Sequence, residues 1–573
     1  MHTLTLRDDA GPEWRPRRHW FPNRGGISLV STVLAGLMCA FVSLVGSRDV
    51  LEKEVWENSF AAANITLSDF TPVNQARYAL GLRSINASAL SSTEFTQWVQ
   101  EEALLSLQYM SCNIHTPRSC NNHNNDDTPP VFTPGTPYGV VIASPSRESP
   151  DYYYQWTRDS AIVINGLLSV PYLESISDNF DLTNTVLQYL NNSVALQRLD
   201  NRSGRFAADD DYRGVAEPKY NVDGTVFNGN WGRPQNDGPA LRVIAALNFV
   251  SRSDSAQEDM WSEVDEEHPY VFQNITGILE ELVYYDLKFI VMNHGNECYD
   301  LWEECSSRHF FTAQMQLYAL QLAIPVWLRQ PSAPLNDGKL LSQMISARDA
   351  LLKFVLGPQK PCHGRSGLDI ATVLASLLSH PYNTTAVMPF DVDDTRVLAT
   401  LHGLITEMKQ IYPLNKRYPN GGVALGRYPE DIYDGVRTSE GNPWFISTIA
   451  AGHLMYKLAE KYATGQNDIV IHESINPFWG LVIDGYLGQY DEVRIPYNSA
   501  SFNATLANIF KYGDTFLEVV RVHMDDKGSM SEQFNKYTGF MEGARDLTWS
   551  YSTFTEAAET RARVKQILND IVG

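Results

Sequence analysis

Apolar residues recur at helical spacing over most of the chain beyond residue 90. In the stretch 97–112, Ala103, Leu104, Leu107 and Met110 fall on one face at i, i+3 and i+4 spacing, which is typical of an amphipathic helix. Similar patterns predict eleven further helices, at about 157–170, 182–199, 238–251, 275–292, 309–328, 340–356, 368–379, 393–412, 443–464, 504–523 and 548–570. The pattern therefore predicts twelve helices over residues 91–573.

Several predicted helices carry start signals. Asp181 precedes the stretch 182–199 and can cap it, while Pro239 and Pro443 fall in first turns, where a missing N–H costs nothing. Hairpin signals are missing between the helices, so we expect little strand. A regular succession of helices and long loops predicts an all-α domain in which helix pairs are arranged around an axis.

The first fifty residues have a different pattern. Arginines precede an apolar run at 27–45, and the small residues Gly46 and Ser47 follow in an arrangement typical of a cleavage site. Because the run is near the length that spans a bilayer, residues 1–47 are either a removed signal peptide or a retained signal anchor. Both predict that the chain from residue 48 enters the secretory pathway, extracellular or vacuolar. Residues 48–90 are predicted to be an irregular leader.

Seven Asn-x-Ser/Thr sequons agree with a secretory chain. They lie at Asn64, Asn86, Asn191, Asn201, Asn274, Asn383 and Asn503.

The cysteines predict one or two disulfides and a leftover thiol. Beyond the apolar run five cysteines remain, at 112, 120, 298, 305 and 362. A bond between Cys112 and Cys120 would close a short loop, and a bond between Cys298 and Cys305 would pin the acidic motif described below, but the connectivity stays open. No Cys/His spacing resembles a zinc site, so we expect neither a metal nor another cofactor.

Charge and aromatic content limit the class of partner. A formal net charge of −22 argues against nucleic acid, whose phosphates need a basic surface. Aromatic residues make up 11% of the chain, and their combination with many carboxylates suits sugars as well as a well-filled core.

Residues 299–304, Tyr-Asp-Leu-Trp-Glu-Glu, place three carboxylates and two rings in six positions. An apolar neighbour such as Trp302 favours the neutral form of a carboxyl, and the like charges of Asp300 and Glu304 act in the same direction. Such a carboxyl can give a proton to a leaving oxygen. The alternative is an exposed acidic loop.

Four other loops share this composition of Trp or Tyr, Arg and Asp or Glu, and each lies just before a predicted helix. They cover 149–160, 214–242, 426–445 and 528–551. Rings stack on the C–H faces of a pyranose, and arginines and carboxylates bind its hydroxyls. Each loop alone could be a helix cap or a connector, but their agreement predicts one sugar-binding site.

Seven short stretches within these five loops resemble the sequence blocks of fungal and yeast glucoamylases, glycoside hydrolase family 15. The stretches are YYYQWTRDS, EPKYNVDG, NWGRPQNDGPALR, YDLWEE, GRYPEDIY, SEGNPWF and ARDLTWS. They occur in the order of that family from about 138 to 570. The resemblance implies an (α/α)6 barrel of twelve helices. It also implies a monomeric exo-hydrolase that releases β-D-glucose from the non-reducing ends of α-1,4-glucans, with slower α-1,6 cleavage. The resemblance is to yeast-type members without a starch-binding module.

Site residues follow from the same resemblance. Glu303 matches the general acid and Glu532 the general base of an inverting pair, whose carboxyls lie about 6.5–9.5 Å apart. Asp300 and Glu304 match acidic neighbours that bind substrate and tune Glu303, and Asp300 has also been assigned the base role. The substrate-binding positions are Tyr152, Trp156, Arg158, Asp159, Trp231, Leu301, Trp302, Glu304, Arg427, Tyr433 and Trp549.

The resemblance does not reach the first 135 residues or so, and the cysteine set differs from that of mould enzymes. Two other functions stay open: a sugar-binding protein that kept the pocket but lost the chemistry, and another α/α-barrel hydrolase such as a trehalase.

Overall fold

The computed structural model describes residues 92–117, 131–170, 181–206, 209–253, 270–329, 337–382, 384, 386–418, 421–472, 475–483 and 492–572. All of them belong to one unit, Arg83–Gly573. The predicted signal segment 1–47, the leader 48–90 and three sequons (Asn64, Asn86 and Asn383) lie outside these ranges. No helix within them is long and apolar enough to cross a membrane.

Twelve helices of seven or more residues lie in the described ranges, one at each predicted position. They are α1 Thr93–Cys112, α2 Thr157–Leu168, α3 Leu182–Gln197, α4 Asp237–Ser253, α5 Tyr284–Asn293, α6 Phe310–Arg329, α7 Gly338–Leu356, α8 Ala371–Ser379, α9 Thr395–Ile411, α10 Phe445–Gly465, α11 Ala500–His523 and α12 Thr548–Val572. A helical turn, Ile275–Ile278, and a π-helical turn, Leu279–Val283, lead directly into α5.

Alternate helices form a closed inner ring. The helices α2, α4, α6, α8, α10 and α12 each pack on the next, and α12 packs back on α2. An outer helix follows each of the first five inner helices along the chain and packs against it, as α7 does on α6 and α11 on α10, whereas the outer partner of α12 is α1. The predicted all-α fold, an (α/α)6 barrel, is confirmed.

Burial explains which helices lie inside. Nearly every residue of α2 and most residues of α10 are buried, because inner helices have neighbours on all sides. The outer helix α9 buries a single stripe that includes Val397, Leu401, Leu404 and Met408, and it leaves its polar face to solvent. The amphipathic spacing read from the sequence thus marks the outer helices most clearly.

Capping also differs between the two rings. Five outer helices begin at a Ser or Asp whose side chain accepts from the first turn; the residues are Ser92, Asp181, Asp337, Asp394 and Ser499. Asp181 accepts from the amide of Asn184 at 2.8 Å, as predicted. The inner helices α2, α8 and α10 have no side-chain cap. Pro239 lies in the first turn of α4, whereas Pro443 precedes the N-cap of α10.

Strands occur only as short two-stranded ladders within the described part of the chain. They pair β1 Tyr154–Trp156 with β2 Lys219–Asn221, β3 Cys298–Tyr299 with β4 Ser306–Ser307, β5 Ile469–His472 with β6 Glu492–Ile495, and β7 Gln533–Phe534 with β8 Met541–Glu542. Three of the four ladders shape the loops that precede inner helices. Segments of two to four residues carry no detectable period, which is why the sequence did not predict them.

A disulfide joins Cys305 to Cys362, and the thiol of Cys298 is free and buried. The alternative bond between Cys298 and Cys305 is therefore wrong. The acidic motif is instead tied to the loop before α8. Cys112 is also disulfide-bonded, to a partner that the structure does not describe.

Candidate active site

A cavity of about 560 Å³ lies where the loops before the inner helices meet, and we call it the central cavity. Every predicted site residue except Asp300 lines it: Tyr152, Trp156, Arg158, Asp159, Trp231, Leu301, Trp302, Glu303, Glu304, Arg427, Tyr433, Glu532 and Trp549. Since these loops precede α2, α4, α6, α10 and α12, helix N-termini surround the cavity, and their partial positive charge favours carboxylates there.

Glu303 is held in an uncommon backbone conformation. Its φ is +67°, in the left-handed region that costs a non-glycine residue on the order of 1 kcal/mol or more. Its amide donates to the carbonyl of Asp300 at 2.9 Å, closing a tight turn. The turn aims the side chain at the central cavity.

The Glu303 carboxylate has three donor side chains, from two neighbouring segments of the chain. Its Oε1 accepts from Trp156 Nε1 at 2.7 Å and from Gln235 Nε2 at 2.9 Å. Arg158 Nη2 lies 3.5 Å from the same oxygen. These donors stabilise the negative charge that would remain on Glu303 after it gives up a proton.

Asp300 lies behind the turn and not in the central cavity. One carboxylate oxygen accepts from the amides of Glu304 and Cys305, at 2.8 and 3.0 Å. The other accepts from Arg365 Nη1 at 2.9 Å. Asp300 therefore shapes the turn that presents Glu303 and Glu304, and both of its oxygens are already engaged.

Glu304 is bound by two arginines and a phenol. Its Oε1 accepts from Arg427 Nη2 at 2.7 Å, and its Oε2 accepts from Arg365 and from the hydroxyl of Tyr428. Arg427 also makes a forked pair with Asp431, at 2.6 and 2.8 Å. Asp300 and Glu304, whose like charges were expected to act on Glu303, are thus each paired with an arginine.

Glu532 enters the central cavity from another wall. It is 1% exposed, and its Oε2 accepts from the hydroxyl of Tyr433 at 3.3 Å. Gly543 packs against the same oxygen: a Cβ there would come within 2.4 Å of it, and the glycine φ is +73°. A side chain at position 543 would therefore displace Glu532.

Opposing influences set the ionisation of Glu532. Burial is the largest influence, and it raises the pKa of the Glu532 carboxyl to about 8 even though hydrogen bonds from Tyr152 and Tyr433 and the positive charge of Arg427 lower it. The two tyrosine hydroxyls lie 2.9 Å apart. These three groups favour the ionised form, which a general base needs.

Removing the Tyr433 hydroxyl should move the pH profile of any reaction that uses Glu532 as a base. In Tyr433→Phe one influence that lowers the pKa of Glu532 is lost, so its folded-state pKa rises further. The ionised base then disappears at a higher pH as the solution is acidified, and the acidic limb of kcat/KM shifts upward. Tyr537→Phe is the control, since that exposed phenol donates to Glu440 at the surface. An acidic limb that stays in place or moves downward would contradict this role of Tyr433.

Aromatic rings form flat walls between the charged groups. Trp156 lies 5.3 Å from Tyr152 and 6.0 Å from Trp231 between ring centroids, and Trp302 lies 5.7 Å from Trp444. Trp302 is fixed by a 3.0 Å hydrogen bond from its Nε1 to Asp369. Such walls suit the C–H faces of sugar rings.

Arg158 and Asp159 present polar atoms at the cavity wall. Arg158 Nη1 donates to Gln235 at 2.7 Å, and its Nε lies 3.3 Å from Asp159 Oδ2. That nitrogen and that oxygen are buried and have no hydrogen bond to any described residue. Burial raises the pKa of Asp159 to about 6.

Several site residues were not singled out from the sequence. Gln235 and Trp444 lie inside quoted motifs, whereas Arg365 and Asp369 belong to a sixth loop, before α8. That loop contains Arg and Asp but no Trp or Tyr, so the shared composition did not reveal it. Its position before an inner helix is the signal that could have done so. Within the described ranges, no group of three His, Cys, Asp or Glu side chains could hold a metal ion.

Comparisons with known proteins agree on one family. The model of glycosyl hydrolases family 15 matches residues 124–559. A sporulation-specific intracellular glucoamylase of Saccharomyces cerevisiae is 36% identical over 511 residues, covering 84% of this chain and 86% of the relative. A glucoamylase of Saccharomycopsis fibuligera is 35% identical over 519 residues, or 87% of this chain and 96% of that protein. The solved glucoamylase structure from Saccharomycopsis fibuligera aligns with a TM-score of 0.75 at 35% identity, over 83% of this chain and 97% of that one. The chain belongs to glycosyl hydrolase family 15.

Proposed function

We propose that the chain is a glucan 1,4-α-glucosidase, an inverting exo-hydrolase that releases β-D-glucose from the non-reducing ends of α-1,4-glucans such as starch and glycogen. One observation carries the proposal: Glu303 and Glu532, distant in sequence, reach one ring-walled cavity from separate loops. The family and the glucoamylase relatives, at 35–36% identity over most of the chain, support it.

In the proposed reaction Glu303 is the general acid. Its proton passes to the glycosidic oxygen as the bond to the anomeric carbon breaks, and the leaving sugar departs as an alcohol. The resulting carboxylate is stabilised by the N–H groups of Trp156 and Gln235 and by the charge of Arg158. These donors are in place before the charge forms, so they need no reorganisation.

Glu532 is the general base. It takes a proton from a water molecule that attacks the anomeric carbon from the face opposite the leaving group, which inverts the configuration. The hydroxyls of Tyr152 and Tyr433 favour its ionised form against the effect of burial, and they orient the carboxylate. The α-linked substrate therefore gives β-glucose.

Arg158, Asp159 and Arg427 are the groups that would bind the hydroxyls of the terminal sugar. Trp302, Trp156 and Trp231 would stack on the sugar rings. A volume of about 560 Å³ suits a few sugar units rather than a long polymer, which favours attack at a chain end. Binding that strengthens as the ring flattens toward an oxocarbenium ion raises the rate. Slower α-1,6 cleavage follows if the same pocket accepts that linkage less well.

Maltoheptaose digestion with the products followed by ¹H NMR tests the function. We expect glucose as the first product, with the β-anomer appearing before mutarotation. Maltose or longer fragments as first products would contradict exo action, and α-glucose would contradict inversion. Calorimetric binding of maltoheptaose without any glucose release would support the sugar-binding alternative, and a preference for trehalose in a panel of glucosides would support the trehalase alternative.

We also propose that the chain enters the secretory pathway and acts there as a monomer, glycosylated, with the segment 27–45 either cleaved or kept as an anchor. The apolar run and the seven sequons support this. N-terminal sequencing of the purified mature protein decides between cleavage and retention. An unprocessed, unglycosylated and cytosolic chain would contradict the proposal.

A further inference from the structure

Lys219 is a buried lysine inside a cage of aromatic rings. It lies on β2, directly opposite Trp156 on β1, and is 1% exposed. Its Nζ is 3.3 Å from the ring centroid of Trp231, 4.3 Å from those of Trp156 and Tyr154, and 4.4 Å from that of Phe227. We call these four rings the Lys219 cage.

The four rings of the Lys219 cage contact one another in a closed cycle. Each ring meets the next edge to face, at centroid distances of 5.9 Å for Tyr154–Trp156, 6.0 Å for Trp156–Trp231, 6.0 Å for Phe227–Trp231 and 5.2 Å for Tyr154–Phe227. In this geometry the electron-rich faces of the rings can turn toward the ammonium. Cages of this kind recognise ammonium ligands, and here the occupant is a side chain of the same chain.

The ammonium has no carboxylate partner among the ion pairs of the described residues. Burial lowers the pKa of Lys219 to about 8, and the negative charge of Glu303 acts in the opposite direction. A buried, unpaired cation is costly unless its surroundings compensate, and the close neighbours that do so among the described residues are the four rings. The placement of a charge here therefore calls for an explanation other than stability.

Two rings of the cage are also walls of the central cavity. Trp156 and Trp231 both line it, and Trp156 donates to Glu303 at 2.7 Å. Trp156 thus links Lys219 to the acid Glu303, and Trp231 links Lys219 to the wall of the central cavity. Trp231 is 37% exposed, so part of its side chain is accessible from the cavity that it lines.

We propose that Lys219 is a positioning residue for the acid of the hydrolase: its ammonium fixes Trp156 and Trp231 in the cage and its charge stabilises the Glu303 carboxylate formed by proton transfer. The inference rests on the proposed function, because it assumes that Glu303 donates a proton. Lys219 does not line the central cavity, so it acts through Trp156 and through the electric field of its charge.

The effect of Lys219 on the pH profile has a definite sign. The charged groups that face Glu303 are Arg158, Asp159 and Lys219, and Asp237 lies behind Arg158. Lys219→Met removes the positive charge of Lys219 and leaves the other groups unchanged, so the Glu303 carboxylate loses one favourable interaction. We therefore expect the alkaline limb of kcat/KM to lie at higher pH in this variant.

The test compares Lys219→Met with Lys219→Arg on maltotriose. In Lys219→Met we expect kcat to fall by up to about 10²-fold, because a small misplacement of the reacting groups costs about that much. We expect a smaller change in KM and an alkaline limb of kcat/KM at higher pH. Lys219→Arg keeps the charge and should restore the limb and most of kcat. Lys288→Met is the matched control: that lysine lies 5.1 Å from the ring of Tyr284 and pairs with Asp337, outside the central cavity.

Each outcome decides the matter. An alkaline limb in Lys219→Met that matches wild type, or equal losses in the Met and Arg variants, would overturn the inference. Lys219→Gln replaces the Met variant if that variant does not fold. If neither neutral variant folds while Lys219→Arg is fully active with an unshifted pH profile, Lys219 has a structural role only and the proposal fails. Absence of glucose release by the wild type would instead refute the proposed function.

Discussion

Glu303→Gln should lower the rate of maltotriose hydrolysis by at least about 10²–10⁴-fold, the contribution of a positioned general acid, and should leave α-D-glucosyl fluoride as a usable substrate. Glutamine is nearly isosteric and can still occupy the site beside Trp156 and Gln235, but it has no acidic proton. A sugar alkoxide needs that proton to leave. Fluoride is a weak base and leaves without it, so the fluoride separates loss of the acid from damage to the pocket.

Steady-state kinetics on both substrates measure this effect. Glu297→Gln is the matched control, because Glu297 is an exposed carboxylate just before the same motif. We expect its kinetics to match wild type on both substrates. An equal loss of both activities in Glu303→Gln would contradict the acid role and point to a role in binding.

Glu532→Gln should lower hydrolysis of maltotriose and of α-D-glucosyl fluoride alike, by about 10²–10⁴-fold. Both substrates need a water molecule that loses a proton as it attacks, and an amide cannot take that proton. The hydroxyls of Tyr152 and Tyr433 and the side-chain environment remain, so binding should change little. The selective signature of Glu303→Gln is therefore not expected here.

Glu542→Gln is the control for the second variant. Glu542 lies on β8, opposite Gln533, and accepts from Asn442 and Asn535 outside the central cavity. A Glu532→Gln enzyme that keeps its activity toward the fluoride would contradict the base role. Substrate affinity measured by calorimetry separates a lost base from a collapsed pocket in either case.

The geometry of the two carboxyls explains why they are not interchangeable. Glu303 is held by N–H donors and an arginine at the end of a strained turn, whereas Glu532 is buried beneath two phenols. Asp300 supports the turn from behind, with Arg365 bridging it to Glu304. Glu303 with Asp300, the bridging Arg365 and the base Glu532 thus come from three loops that only the closed ring of helices brings together.

Much of the fold could be predicted from the chain because helices are local. Apolar spacing placed all twelve helices, and residues such as Asp181 marked a helix start that its side chain does cap. The short ladders, the bond between Cys305 and Cys362 and the contribution of Arg365 could not be predicted. They depend on which loops lie side by side, and no local pattern records that.

The sequence by itself determined the alternation of helices and motif-bearing loops, and its blocks were enough to indicate the family and the pair Glu303 and Glu532. Only the tertiary structure decided how the charges are shared. Sequence proximity suggested that Asp300 and Glu304 repel Glu303, but in the fold each is neutralised by an arginine from a distant loop. The physical reason is that Coulomb interactions depend on distance in space, and barrel closure brings groups far apart in sequence closer than neighbours along the chain.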